Sequence, residues 1–209
     1  MVQSTTPAYW EEAKSHLSKQ DHVMGAIITQ YQGEYLQSRG NAFETLARAV
    51  TGQQISVKAA DSIWKRLEAA LGNVTPSTFW EYTEEELHNF GFSRQKILYL
   101  RGIAEHFQQG NVTVDNWHDA PDHHVIKELT AIKGIGQWTA EMFLIFYLLK
   151  PDVLPLADIG LQKAIMKHYN GGDTLTIHAM QALAEPWRPY RTVATWYLWR
   201  SLDPVPVEY

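Results

Sequence analysis

The chain has 209 residues, a length that suits one domain or two small subdomains sharing a core. Its 45% hydrophobic and 20% charged residues are those of an ordinary globular protein, and the absence of cysteine excludes disulfides, thiolate metal sites, iron–sulfur clusters and a cysteine nucleophile together. A net charge of −5 counts mildly against a nucleic-acid partner. The charges are unevenly spread, however. Glu81, Glu84, Glu85 and Glu86 stand in the first half, and Lys127, Lys133, Lys150, Lys163, Lys167, Arg188, Arg191 and Arg200 in the second, so a basic face on an acidic molecule stays open.

From Met1 to Trp10 no basic stretch leads into an apolar one, as a secretory signal would require. Ser56 caps a helix with Val57, Ala60, Ile63, Trp64 and Leu67 at spacings of three and four. Thr83 to Glu86 fits a capping box. Ile97, Leu100, Ala104 and Phe107 mark one face of a helix over 93–109, and Asn111 to Val114 offers the best strand-like alternation. Later helices are expected over 122–131, 136–149, 159–169, 175–184 and 190–201. Pro151 to Pro155 breaks the pattern as an extended connection, Gly171-Gly172 ends a helix, and the prolines from Pro204 end the last one. The fold reads as all-α. The longest strongly apolar stretch, Met142 to Leu149, is too short to span a bilayer. Most of the nine histidines stand alone, and the neighbours His123 and His124 diverge on a helix, so no metal site is read from them.

The chemistry concentrates in Leu129-Thr-Ala-Ile-Lys-Gly-Ile-Gly-Gln-Trp-Thr-Ala-Glu-Met-Phe143. Two glycines flank Ile135 between an incoming and an outgoing helical pattern. Gly134 can take positive φ, Ile135 would tuck inward, and the second helix would aim free N–H groups outward, where a phosphate fits. Backbone contacts of this kind need little net positive charge. Taken alone, the pattern favours a plain helical corner packed for stability.

The segment resembles the hairpin of the helix-hairpin-helix DNA glycosylase superfamily, most closely that of the DNA-3-methyladenine glycosylase II family. The resemblance extends in the same order to Thr51-Gly-Gln-Gln-Ile-Ser-Val-Lys-Ala-Ala60, Leu154-Pro-Leu-Ala-Asp-Ile-Gly-Leu-Gln-Lys163 and Pro186-Trp-Arg-Pro-Tyr-Arg191, covering about residues 40 to 200. It implies two helical subdomains flanking a cleft: 36–150, with the hairpin over 122–149, and 1–35 plus 151–209. It leaves no amino-terminal β domain. The family's catalytic aspartate matches Asp158, which also stands where an ordinary helix cap would; Asp152 has no such match and reads as a loop residue. Where bifunctional members carry a lysine nucleophile this chain has Trp138, which implies a monofunctional enzyme that hydrolyses the N-glycosidic bond with water.

The same resemblance places Trp138, Trp187, Met142 and Gln53 at the substrate pocket. Gln54 is implied as the wedge that fills the gap left by a flipped base, and Lys133, Gly134, Ile135, Gly136 and Thr139 as further DNA contacts. Many relatives carry proline where Lys133 stands. Trp10, Trp64, Trp80, Trp196 and Trp199 read as core. A sodium or potassium ion held by the carbonyls of Thr130, Ile132 and Ile135 is implied; no other cofactor is required. The implied partner is double-stranded DNA containing alkylated bases such as 3-methyladenine or 7-methylguanine, bound by a monomer, with no membrane. The location would be bacterial cytoplasm at the nucleoid, or a eukaryotic nucleus. Two other readings stay open: a non-catalytic DNA-binding or damage-sensing module, and a glycosylase for oxidised or mismatched bases.

Overall fold

The computed structural model describes residues 6–38, 40–112 and 114–203; the tail from Pro204 lies outside them. The helices are α1 (Trp10–Gln20), α2 (His22–Gln30), α3 (Ala42–Gly52), α4 (Val57–Leu71), α5 (Pro76–Trp80), α6 (Glu84–Asn89), α7 (Arg94–Gln108), α8 (Asp122–Thr130), α9 (Gln137–Phe146), α10 (Ile159–Tyr169), α11 (Ile177–Leu183) and α12 (Arg191–Arg200). Short 3-10 turns lie at Val114–Trp117 and Glu185–Trp187. The fold is all-α, with no strand of two or more residues among the described ones. Of the alternation at Asn111 to Val114, Thr113 lies outside the described residues and the others form no strand: the Asn111 amide closes the end of α7 on the His106 carbonyl at 3.0 Å, and Val114 opens a 3-10 turn. None of the helices described is long and apolar enough to cross a membrane.

Helix starts follow their capping residues. Asn41 accepts the Glu44 amide at 3.0 Å and Ser56 the Ala59 amide at 3.3 Å. Thr83 and Glu86 form the reciprocal box, with the Thr83 N–H donating to Glu86 Oε2 at 2.7 Å. Each satisfies amides that a helix end would otherwise leave without partners.

The chain divides into two compact units, one up to Ser38 and from Leu149 onward, the other ending at Leu148. In the first, α1 and α2 pack on α12, and α10 packs on α12 as well. The run from Thr192 to Trp199 is buried throughout, so α12 is a central helix covered on every side. Trp10 meets Trp196 edge-on, with centroids 5.3 Å apart. Asp21 ties three elements together. Its Oδ1 caps α2 through the Val23 and Met24 amides at 2.9 and 3.0 Å, while Oδ2 accepts the Tyr169 hydroxyl at 2.7 Å and the Trp187 indole N–H at 2.8 Å. Burial, and then Asp21 beside it, push the Tyr169 hydroxyl well above the usual phenol range.

In the second unit α3 is central, packing on α4, α7 and α9. Phe43 meets both Phe79 and Phe107 edge-on, with centroids 6.4 and 5.7 Å apart. The α8–α9 corner carries the glycine hairpin on the face of this unit that also holds the end of α3.

Candidate functional site

Asp158 is the N-cap of α10, and its Oδ1 accepts the Leu161 amide at 2.6 Å. It does more than cap. The indole N–H of Trp199 donates to the same oxygen at 2.8 Å. Two N–H groups from different helices thus fix a half-buried carboxylate in position.

The approach to Asp158 is built on the helix that supplies Trp199. Thr192 Oγ1 donates to the Lys150 carbonyl at 2.6 Å and accepts the Val153 amide at 3.0 Å, and the Thr192 amide donates to the Pro151 carbonyl at 3.0 Å. Asp152, read as a plain loop residue, is an anchor: Arg191 grips it through Nε–Oδ1 at 2.7 Å and Nη2–Oδ2 at 3.0 Å, and Arg188 reaches Oδ2 at 2.7 Å. Thr192 and Trp199 are seven residues apart, on one stripe of α12 and about 10 Å along its axis. One rigid helix therefore clamps both the start of the connection and the carboxylate at its end. Gly160 completes the fit, because a Cβ there would lie 3.0 Å from Asp158 Oδ1 and 3.5 Å from Trp199 Cδ1.

The hairpin is built in the other unit. Gly134 has φ +97°, and a Cβ on it would come within 2.3 Å of Tyr99 Cγ, so the turn needs glycine on both counts. Ile135 is buried and Lys133 exposed. Gly136, the N-cap of α9, is exposed and has no side chain with which to cap the helix. A Cβ at Gly136 would meet nothing within 4 Å, so the space above it is open.

The other residues singled out from sequence are distributed as follows. Trp138 is half-buried on α9. Gln54 is exposed with φ +59°, a left-handed conformation costly for a residue with a side chain. Gln53 donates from Nε2 to the Gly134 carbonyl at 3.0 Å and to Thr139 Oγ1 at 2.9 Å. Thr139 is buried, its hydroxyl facing Gln53. Met142 and Trp187 are fully buried, and the Trp187 N–H is spent on Asp21. Three of the basic residues counted toward a cationic face are neutralised within their own unit, Arg188 by Asp152 and Glu185, Arg191 by Asp152, and Arg200 by Glu34. Trp199, read as core, is buried as expected, and its N–H also meets the candidate carboxylate, a contact the sequence reading did not give it. The available signal was chemical: a buried tryptophan needs an acceptor for its N–H.

The chain matches the family model of the HhH-GPD superfamily base excision DNA repair proteins over residues 47–189. It is 32% identical to DNA-3-methyladenine glycosylase 1 of Schizosaccharomyces pombe over 197 residues, covering 91% of this chain and 86% of that protein. The solved structure of the fission yeast 3-methyladenine DNA glycosylase in complex with abasic DNA superposes with a TM-score of 0.82 at 31% identity, covering 91% of this chain and 96% of that one. A DNA-3-methyladenine glycosidase from Bacillus halodurans superposes with a TM-score of 0.75 at 33% identity, covering 97% and 93%. An all-helical chain with a glycine hairpin and a helix-capping aspartate in this order belongs to the HhH-GPD superfamily of base excision DNA repair proteins.

Proposed function

We propose that this protein is a monofunctional DNA glycosylase that hydrolyses the N-glycosidic bond of alkylated purines, 3-methyladenine and 7-methylguanine among them, and leaves an abasic site. The observation that carries the reading is Asp158, held by Leu161 N–H and Trp199 Nε1–H on one oxygen. A cap needs only the first of these bonds.

An alkylated purine is a cation and leaves deoxyribose readily, so general-acid help is dispensable. The carbon–nitrogen bond breaks with its electron pair departing on the base. The sugar carbon becomes oxocarbenium-like, and Asp158 stabilises that charge from a fixed position. Water adds to the same carbon and gives up its proton to the Asp158 carboxylate, and solvent takes it on. No covalent enzyme intermediate arises, because Trp138 stands where a lysine nucleophile would. Trp138 is the proposed aromatic face for the cationic base, a contact worth roughly 0.5–2 kcal/mol. Met142 and Trp187, both fully buried, are proposed to act through packing within their own units rather than by touching the base.

The target nucleotide leaves the helix at a cost of a few kcal/mol, and Gln54 is proposed to fill the gap. The start of α9 and Lys133 are proposed to grip the phosphates of double-stranded DNA, bound by one copy of the chain. Thr139, buried and bonded to Gln53, would act in that grip from beneath. A sodium or potassium ion fits the carbonyls of Thr130, Ile132 and Ile135. The Ile132 carbonyl accepts the Ile135 amide at 3.1 Å, and a carbonyl oxygen carries two lone pairs. Such an ion would supply positive charge beside the phosphates.

A base-release panel tests the reading. Duplexes carrying single alkylated, deaminated or oxidised purines are incubated with the protein, and free base and strand breaks are scored separately. Release of alkylated bases, with strand cleavage only after hot alkali, is expected. Cleavage without alkali contradicts the monofunctional mechanism, and no release from any duplex contradicts the activity.

A further inference from the structure

The pocket role first assigned to Gln53 does not describe what its side chain does. Both hydrogens of its amide are spent inside its own unit, one on the Gly134 carbonyl at 3.0 Å and one on Thr139 Oγ1 at 2.9 Å. These acceptors bracket the hairpin: one carbonyl in the turn, one hydroxyl in the first turn of α9. Gln53 is also the C-cap of α3 and the residue immediately before Gln54.

Helix α7 braces the same two features from below. Lys96 Nζ donates to the Thr51 carbonyl at 2.6 Å, holding the last turn of α3, where a cation also suits the helix dipole. Tyr99, three residues on and on the same face of α7, packs against Gly134 so closely that a Cβ there would sit 2.3 Å from its Cγ. The end of α3 and the hairpin thus rest on one helix and are cross-tied by one side chain. Gln54 sits on this tie in a left-handed conformation at φ +59°, which persists only where neighbours over-determine it.

We propose that Gln53 is a positioning residue that couples the hairpin to Gln54, so that gripping the DNA backbone and inserting the wedge occur as one event. The proposal rests on the functional reading above for the roles of the hairpin and of Gln54. When the hairpin seats on phosphates, Gln53 carries its position to Gln54; without the tie, the hairpin can bind while Gln54 relaxes.

The test uses the full chain, a duplex with one 7-methylguanine, and 2-aminopurine placed opposite it to report unstacking. Gln53→Met removes both donors at similar length, Thr139→Val removes one acceptor at similar volume, and Thr139→Ser keeps it. Gln53→Met is expected to lower the unstacking signal and the maximal single-turnover rate together, by tenfold or more, with a smaller change in half-saturating enzyme concentration. Thr139→Val should lose part of both, Thr139→Ser, which keeps the acceptor, less of each than Thr139→Val, and the Gln53→Met/Thr139→Val double variant should be no worse than Gln53→Met. Wild-type unstacking in Gln53→Met and Thr139→Val overturns the coupling, as do equal losses in Thr139→Ser and Thr139→Val. A wild-type protein that unstacks the reporter yet releases no base overturns the proposed activity and leaves the coupling standing.

Discussion

The indole N–H of Trp199 donates to Asp158 Oδ1 at 2.8 Å, a bond that an ordinary helix cap does not need. Replacing Trp199 with Phe keeps the ring and removes the donor. Losing one hydrogen bond to a charged group is worth about 1.5–3 kcal/mol, so single-turnover base release should slow by roughly tenfold to a hundredfold. A Trp199→Phe enzyme with the wild-type rate would show that the bond serves packing alone.

Gly160 offers a test in which stability and activity move apart. Alanine in a helix is favoured over glycine by about 1 kcal/mol, so Gly160→Ala should melt no lower than wild type if nothing crowded it. A methyl 3.0 Å from Asp158 Oδ1 must push the carboxylate aside by a few tenths of an ångström. Base release is therefore expected to fall in a variant whose melting temperature changes by only a few degrees. Equal activity in the folded variant would show that Asp158 needs no such clearance.

Asp152 holds Arg188 and Arg191 where the connection to Asp158 begins. Asp152→Ala leaves both arginines without their shared acceptor, while the Thr192 bonds to Lys150, Pro151 and Val153 remain. A loss of about 2–3 kcal/mol in unfolding free energy is expected from denaturant titration. A midpoint unchanged from wild type would place the clamp elsewhere.

Tyr197 predicts a pH dependence. Its hydroxyl is buried, and that burial pushes it up to about 12 against the opposing effect of Trp10 beside it. The folded state thus keeps a proton that the unfolded chain releases near pH 10. The tyrosine's contribution is fully present below pH 10 and is lost as pH rises through about 12. Tyr197→Phe cannot titrate, so it should match or slightly exceed wild-type stability at pH 7 and outlast it increasingly above pH 10. Parallel curves for the two proteins up to pH 12 would contradict this.

Local signals carried much of the fold. Asn, Ser, Thr and Asp before apolar periodicity mark helix starts because one side-chain oxygen satisfies amides two or three residues on, and Ser56, Thr83, Ser93 and Asp158 all do so. The hairpin was legible because Gly134 answers a backbone need. Its reason was not: Tyr99 packs against it from another helix. Trp199 was hidden for a related reason. In a helix buried on every side, periodicity does not tell an indole aimed at an acid from one aimed at the core. Trp187 shows the reverse, since a motif match placed at the pocket a side chain whose N–H serves Asp21, 166 residues away in sequence. Asn111 looked strand-like until its amide proved to close α7.

The central claim is that Asp158 performs chemistry as well as capping α10. Asp158→Asn is nearly isosteric and keeps an oxygen for the Leu161 and Trp199 donors, so the fold and DNA binding should survive. Single-turnover release of 7-methylguanine from a duplex with one lesion, at saturating enzyme, tests it most directly. The account predicts that Asp158→Asn binds the duplex and releases base at least a hundredfold more slowly than wild type. Release by Asp158→Asn at the wild-type rate would reduce Asp158 to a helix cap.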